Sequence, residues 1–440
     1  MATVDTATIN TPQPAASLEP YRPKNVSLTP AQVSIIKSTV PILAEHGATI
    51  TTRFYGNMLA AHPELKTVFN LSNMKTGRQP AALAGALYAY AANIDNLGAL
   101  GPAVELICQR HASLYIRPEQ YETVGTYLLA AMKEILGAAL TDDVAEAWAT
   151  AYWQLADICI AKEAELYAKA GEWKGWAPFK IAHKVKESEE ITSFYLEPMN
   201  ASNKPLPDFL PGQYISIRTL VPTLGHIQPR QYSLSDAPNG SSYRVSVKRE
   251  AGVDPYDPSA ATHPGIISNV MHDVRNEGDI VEVSHPYGDF YFDTKSADKD
   301  APVVLLSAGV GLTCLTSILN SLIDEKSDRP ISYIHGVRHS DLRAFKAHMQ
   351  DLAKANPNLK VVLFNKYLKD GEVQGVDYHH SGRLNLDKLS KEDLHVGNPK
   401  TQYYVCGPER FMTDIENGLK QIGVAGERIH SEKFGPNTGN

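Results

Sequence analysis

A chain of 440 residues exceeds what one hydrophobic core usually serves, so two or three domains are expected. Its 42 Lys+Arg against 49 Asp+Glu leave it mildly acidic, which gives no general nucleic-acid or anionic-membrane footprint. No apolar run of about 18 residues occurs, which argues against a transmembrane helix.

The first 28 residues are rich in Ala, Thr and Pro and carry Asp5 and Glu19 with a single Arg and no apolar signal core. They read as a disordered tail over 1–28. Cys108, Cys159, Cys314 and Cys406 lack metal-ligand spacing, and with no targeting signal they fit free thiols in the cytoplasm.

A helix start is signalled at Thr29-Pro30, where Thr can cap and Pro takes the first helical position. The helical pattern runs to about residue 170, with breaks at Pro63, Pro80, Pro102 and Pro118, so 29–172 is expected to be an all-helical domain. A Gly/Trp/Pro shift over residues 171–178 marks a boundary. Short alternating segments at 180–185, 192–196, 213–217, 243–247 and 280–283 then predict a small antiparallel barrel over 173–298. Past residue 300, apolar runs at 303–306, 331–334, 361–364 and 403–405 alternate with helical stretches, and a parallel sheet covered on both faces is expected over 299–440.

Within the barrel segment stands Arg230-Gln231-Tyr232-Ser233. Alternation along a strand is expected to put Arg230, Tyr232 and Ser233 on one face, offering a cation, a ring and a hydroxyl to a ligand with a pyrophosphate and a flat ring system. An ordinary amphipathic strand is the other reading. After the first parallel strand comes the turn Gly309-Val310-Gly311-Leu312-Thr313, and after the last comes Cys406-Gly407-Pro408. Glycines there let backbone approach a pyrophosphate, and two such turns at strand C-terminal ends line one crevice.

These residues, in this domain order, resemble the ferredoxin reductase family, an FAD barrel followed by a nicotinamide domain. The resemblance implies that Arg230 pairs with the FAD pyrophosphate, Tyr232 packs on the flavin with Gln231 beside it, and Ser233 reaches a flavin nitrogen. It extends to Tyr214 in Pro211-Gly212-Gln213-Tyr214, and to Gly265 and Ser268, which would offer donors to phosphate. Glu432-Lys433-Phe434-Gly435-Pro436 resembles the segment that covers the flavin. The choice between NADH and NADPH stays open: Arg338 or Arg343, after the second parallel strand, could hold a 2′-phosphate or be a solvated surface residue.

In the helical half, His111 lies on a stripe with Val104, Ile107, Cys108 and Tyr115, which points it into a core as either a structural histidine or a ligand. The surrounding segments, Phe54 to Met58, His62 to Asn70, Gln79 to Leu83, Cys108 to Ser113 and Arg117 to Tyr121, closely resemble the globin domain of flavohaemoglobins. The reductase half matches the same family. The resemblance implies His111 as proximal ligand of haem b iron, backed by Tyr121 and Glu163, with Tyr55 and Gln79 on the opposite side and Phe69 and Leu83 in the pocket. It further implies nitric oxide dioxygenase activity with O2 and nitric oxide as substrates and a monomer or weak dimer, and leaves open whether lipid occupies the distal pocket. Two other readings stay open: a haem-based sensor or carrier, and a flavin reductase with a haemless helical module.

Overall fold

The computed structural model describes residues 22–252, 264–295 and 297–435. Most of the expected tail, residues 1–21, lies outside these, as does Pro436. The described end of that stretch is held in place: Arg22 pairs with Asp157 at 2.7 Å and its guanidinium sits 4.4 Å from the Trp153 ring. The described residues form two compact units, one built from 22–108 with 116–165, the other from 109–115 with described residues from 166 to 435.

The first unit is helical. Its helices are α1 (Pro30–Ser38), α2 (Val40–Ala61), α3 (Leu71–Lys75) and α4 (Arg78–Ala92), then α5 (Gly101–Ser113), α6 (Pro118–Leu136) and α7 (Asp142–Lys169), of which α5 and α7 run on into the second unit. Thr29 caps α1 as its sequence predicts, its hydroxyl taking the Gln32 N–H while the Gln32 side chain takes the Thr29 N–H. Pro63, Pro102 and Pro118 sit at helix starts. Pro80 does not break the chain: it falls in the first turn of α4, where a missing N–H costs nothing. Helices α2 and α4 cross closely, because a Cβ on Gly47 would already stand 3.4 Å from that of Ala84. Thr51 Oγ1 then donates to the Pro80 carbonyl at 2.8 Å.

The second unit holds two sheets. Strands β1 (Trp176–Lys186), β2 (Ile191–Pro198), β3 (Tyr214–Val221), β4 (His226–Ser233), β5 (Tyr243–Lys248) and β6 (Ile280–Ser284) form an antiparallel sheet of order β4-β3-β6-β1-β2-β5. Its edges nearly meet through a bridge from Leu234 to Val245, so the expected barrel is a curled half-barrel. Phe179, Ile181, Phe194, Ile215, Ile217, Val245 and Val283 fill its interior, and helix α8 (Ile266–Asp273) closes one end with Ile267 and Met271.

Helices α9 (Leu312–Asp324), α10 (Lys346–Ala355), α11 (Lys391–Leu394) and α12 (Glu409–Gln421) flank β7 (Val303–Ala308), β8 (Ile331–Val337), β9 (Leu359–Asn365), β10 (His380–Ser381), β11 (Gln402–Cys406) and β12 (Ile429–Glu432). This sheet is parallel with order β10-β9-β8-β7-β11-β12, and buried apolar clusters cover both faces. The strand order reverses between β7 and β11, the place where open α/β sheets bind ligands. Strands β10 and β12 escaped the sequence reading; β10 is two residues long and β12 alternates Ile, His, Ser and Glu without an apolar run. The sheets are joined where Ser317 Oγ donates to the Asp236 carbonyl and Asn320 Nδ2 to its carboxylate, both at 2.7 Å.

Candidate functional site

Three clusters gather the residues singled out by sequence. In the first unit, Tyr55 on α2 and Gln79 on α4 meet across the close helix crossing, the Gln79 amide donating to the Tyr55 phenol at 3.2 Å. Burial pushes the phenol up to about 12, so it stays protonated at ordinary pH. Because its oxygen accepts the Gln79 N–H, the phenol keeps its own hydrogen to donate to a ligand. The Phe69 ring stands edge-on to it at 5.5 Å, and Leu83, one turn beyond Gln79, packs partly buried against the same core.

Also in that unit, Tyr121 on α6 donates to Glu163 Oε1 on α7 at 2.5 Å, with the carboxylate only 2% exposed. Glu163 is thus a buried carboxylate and not a solvated group on the helix surface. Its neighbour Lys162 turns the other way, to Glu105 at 2.8 Å. Gly125 makes room for a neighbouring ring: a Cβ there would lie 2.4 Å from Tyr152, whose hydroxyl donates to the Tyr121 carbonyl at 2.5 Å.

His111 lies on the last turns of α5, half-buried, between fully buried Cys108 and Ser113. Its segment belongs to the second unit, and its flanking polar residues explain why. Gln109 Oε1 takes the Gly288 N–H at 3.0 Å, while Ser113 Oγ receives Ser216 Oγ at 3.0 Å and Gln231 Nε2 at 2.9 Å. Gln109 and Ser113 are four apart, a spacing that puts both on one helix face, and this was the signal available to sequence reasoning.

On β4, alternation places Arg230 and Tyr232 together. Ser233 follows Tyr232 directly, so the expectation of three residues on one face is corrected: a two-residue period turns Ser233 away, and it closes the strand, pairing with Tyr214. Arg230 is held by the Pro229 carbonyl at 2.6 Å, and burial lowers its guanidinium to about 10. The Tyr214 hydroxyl is buried and faces Ser113 without completing a hydrogen bond of good geometry. Near it, burial and the Asp289 carboxylate push Glu432, at the end of β12, up to about 8 against the pull of Arg110. Phe434 is 47% exposed. Gly265 and Ser268 were expected to offer donors to phosphate, but the Gly265 N–H is given to the Glu250 carbonyl at 2.9 Å and Ser268 Oγ takes the Glu250 N–H. The Ser268 hydroxyl proton is what remains.

At the sheet switch point, the turn Gly309–Gly311 follows β7 and Thr313 sits in the first turn of α9, its hydroxyl bonded to the Val310 carbonyl. Gly309 has φ +55, and a Cβ there would meet nothing within 4 Å, which leaves an open backbone cradle. Gly311 could carry no Cβ, since one would lie 2.2 Å from the Cys406 carbonyl oxygen. The two glycine turns are thus in direct contact, with Gly407 and Pro408 leading into α12. The Cys406 thiol points into the core beside Cys314, where burial raises it far above the ordinary thiol range. Of the two candidate cations, neither is a solvated surface residue: Arg343 is buried and donates to Asn365 at 2.6 Å, and Arg338 is paired with Glu190.

These residues fit the expected groups. A buried phenol with a proton to give, an orphaned Tyr214 hydroxyl, a desolvated Arg230 and an open glycine cradle are the donors that haem-bound ligand, flavin and pyrophosphate require. Among the described residues no helix is long and apolar enough to cross a membrane.

Comparison with known proteins agrees with both halves. The globin family matches residues 52–159 and the oxidoreductase NAD-binding domain family matches 305–417. A flavohaemoprotein of Bordetella parapertussis is 45% identical over 413 residues, spanning 93% of this chain and 98% of the relative. One from Rhizobium meliloti is 43% identical over the same shares. The crystal structure of a flavohaemoglobin from Malassezia yamatoensis with bound FAD and haem superposes with a TM-score of 0.80 at 29% identity, covering 93% of this chain and all (100%) of that one. The FAD/NAD-binding domain of a nitric oxide dioxygenase from Vibrio cholerae matches 59% of this chain and 99% of its own, with a TM-score of 0.51 at 31% identity. This chain belongs to the flavohaemoprotein family, oxidoreductases in which a haem-binding globin is joined to an FAD- and nicotinamide-binding reductase.

Proposed function

We propose that this protein is a nitric oxide dioxygenase that joins nitric oxide and oxygen to give nitrate, drawing electrons from NADH or NADPH through FAD to haem. Its role is nitric oxide detoxification in the cytoplasm, where buried, unbridged thiols such as its four cysteines persist. The observation that carries the reading is the setting of His111, whose neighbours Gln109 and Ser113 bond the half-barrel at Gly288, Ser216 and Gln231. A histidine of the helical half is thereby tied to the strand that carries Tyr232 and Ser233.

When bound, flavin divides a hydride into single electrons and haem activates oxygen. The chain's own residues hold and orient. On this reading 29–172 is the globin domain, 173–298 the FAD domain and 299–440 the nicotinamide domain. His111 is the iron ligand, Tyr121 and Glu163 form the pair that tunes it, and Phe69 and Leu83 exclude water. Tyr55 would supply a proton donor to a haem-bound ligand, and Gln79 fixes its direction. Arg230, Tyr214, Gln231, Tyr232, Ser233, Ser268, Gly265, Glu432 and Phe434 hold FAD. Gly309, Val310, Gly311, Thr313, Cys406, Gly407 and Pro408 line the nicotinamide crevice.

Replacing Tyr55 by Phe tests the assignment of the donor. The loss of one hydrogen bond to a charged group, worth about 1.5–3 kcal/mol, should speed oxygen release roughly tenfold to a hundredfold and lower nitric oxide consumption. Unchanged oxygen dissociation in flash photolysis would remove Tyr55 from the site.

A further inference from the structure

Away from these clusters, residues 291–293 and 297–301 with the strands β11 and β12 line an open recess of about 410 Å³ that the proposed activity does not use. We infer that it is a binding site for an oxyanion carried on a flat aromatic ring.

The oxyanion end is set by Arg329. This side chain lines the recess yet is 4% exposed. Its Nε donates to Ser327 Oγ at 2.8 Å and its guanidinium stands 5.1 Å from the Phe292 ring, while Nη1 is buried with no hydrogen-bond partner among the described residues. Burial holds its pKa below the ordinary range, the mark of a cation whose desolvation is not repaid locally. A guanidinium is a planar fork that matches carboxylate or phosphate oxygens. The Glu325, Asp298 and Asp300 carboxylates all act on the guanidinium through space, and Asp298 is itself engaged by Lys400 at 2.8 Å, yet Nη1 keeps no hydrogen-bond acceptor among the described residues and can take one from an incoming anion.

The ring end is set by aromatic walls. Tyr404 and His430 stack at 4.6 Å with 20° between their planes, and Tyr291 stands at the rim 40% exposed. Burial lowers the His430 pKa, so its imidazole is neutral at ordinary pH, and its Nε2 is bonded to Gln402 Oε1 at 2.9 Å. A neutral aromatic pair accepts a flat ring by offset stacking. The volume lies within the range of small-molecule sites. Gln402 opens β11, whereas Cys406 and Glu432 close β11 and β12, so the recess lies toward the end of the sheet away from the glycine turns.

The test is calorimetric titration of the full chain carrying haem and FAD, with NAD+ saturating the nicotinamide crevice. Benzoate and phenyl phosphate are the probes, with neutral benzamide and non-aromatic cyclohexanecarboxylate as controls. Saturable one-site binding of benzoate or phenyl phosphate is expected, at least tenfold tighter than either control, and whichever anion wins identifies a carboxylate or a phosphate as the natural group. Arg329→Gln should weaken that binding about ten- to hundredfold. Should that variant fold poorly, Tyr291→Ala at the exposed rim decides the matter with an expected several-fold loss. Absence of saturable binding by both anions, benzamide binding as tightly as benzoate, or full affinity in a folded variant would overturn the site.

Discussion

Tyr121 donates its phenolic hydrogen to Glu163 Oε1 at 2.5 Å, and both side chains are buried. Desolvation, with the Glu163 carboxylate adding to it, holds the phenol well above the ordinary tyrosine range, so it is a donor at every physiological pH. Removing it takes that hydrogen bond from a buried carboxylate. Tyr121→Phe should therefore cost about 1.5–3 kcal/mol of stability in the unfolding transition of the helical unit. Glu163→Gln, which keeps an acceptor, should cost less. Calorimetry of the three proteins checks the order, and equal melting of wild type and Tyr121→Phe would show that the bond contributes nothing.

Gly125 sets two effects against each other. A helix-interior Gly→Ala change usually stabilises by about 0.5–1 kcal/mol. Here the new Cβ would stand 2.4 Å from a carbon of the Tyr152 ring, a ring that cannot withdraw without breaking its 2.5 Å bond to the Tyr121 carbonyl. Overpacking of this kind costs about 1–3 kcal/mol, so net destabilisation is expected. A raised melting temperature in Gly125→Ala would show that α6 and α7 separate easily.

Glu432 gives a pH dependence with a definite sign. Its carboxyl is raised by burial to about 8 in the folded chain, against an ordinary 4.5. Below that ordinary value folded and unfolded chains are both protonated, and the folded state keeps its full stability. As pH rises from about 4.5 to about 8 the unfolded chain releases its proton first, and stability falls, by an amount on the order of a few kcal/mol. Glu432→Gln should flatten melting temperature against pH across that window. An unchanged slope in the variant would assign the dependence to other groups.

The fold was legible wherever local pattern and tertiary demand agree. Thr29-Pro30 announced α1, the apolar runs announced β7, β8, β9 and β11, and the glycine turns after β7 and β11 announced the switch point. What could not be read depends on partners distant in sequence. Nothing local marks Arg343 as buried against Asn365 or Arg338 as paired with Glu190, residues 22 and 148 positions away. The tie from Ser113 to Gln231 spans 118 positions, and the Glu250 backbone that occupies Gly265 and Ser268 is likewise invisible from a glycine and a serine. The misplacement of Ser233 has a different origin, since its position next to Tyr232 already contradicted a shared strand face.

The pairing of Arg338 with Glu190 and the burial of Arg343 bear on nicotinamide choice. With both cations engaged, a 2′-phosphate finds no ready partner, and NADH is expected to be used in preference to NADPH. Glu190→Gln should release Arg338 and lower KM for NADPH about tenfold, the equivalent of one charge-assisted bond, with NADH little changed. Steady-state kinetics with the two nucleotides checks this, and an NADPH KM that does not move would show that Arg338 cannot reach the ribose.

The central claim is that one polypeptide passes nicotinamide electrons to a haem held by His111 and uses them to turn nitric oxide and oxygen into nitrate. Its most direct test is nitric oxide consumption followed by stopped flow and nitrate assay, with the full chain carrying haem and FAD, limiting NADH and excess oxygen. The account predicts many turnovers, two nitrates formed per NADH oxidised, and loss of the activity in His111→Ala while NADH reduction of the flavin persists. A single turnover that NADH does not renew, or undiminished nitrate formation by His111→Ala, would contradict it.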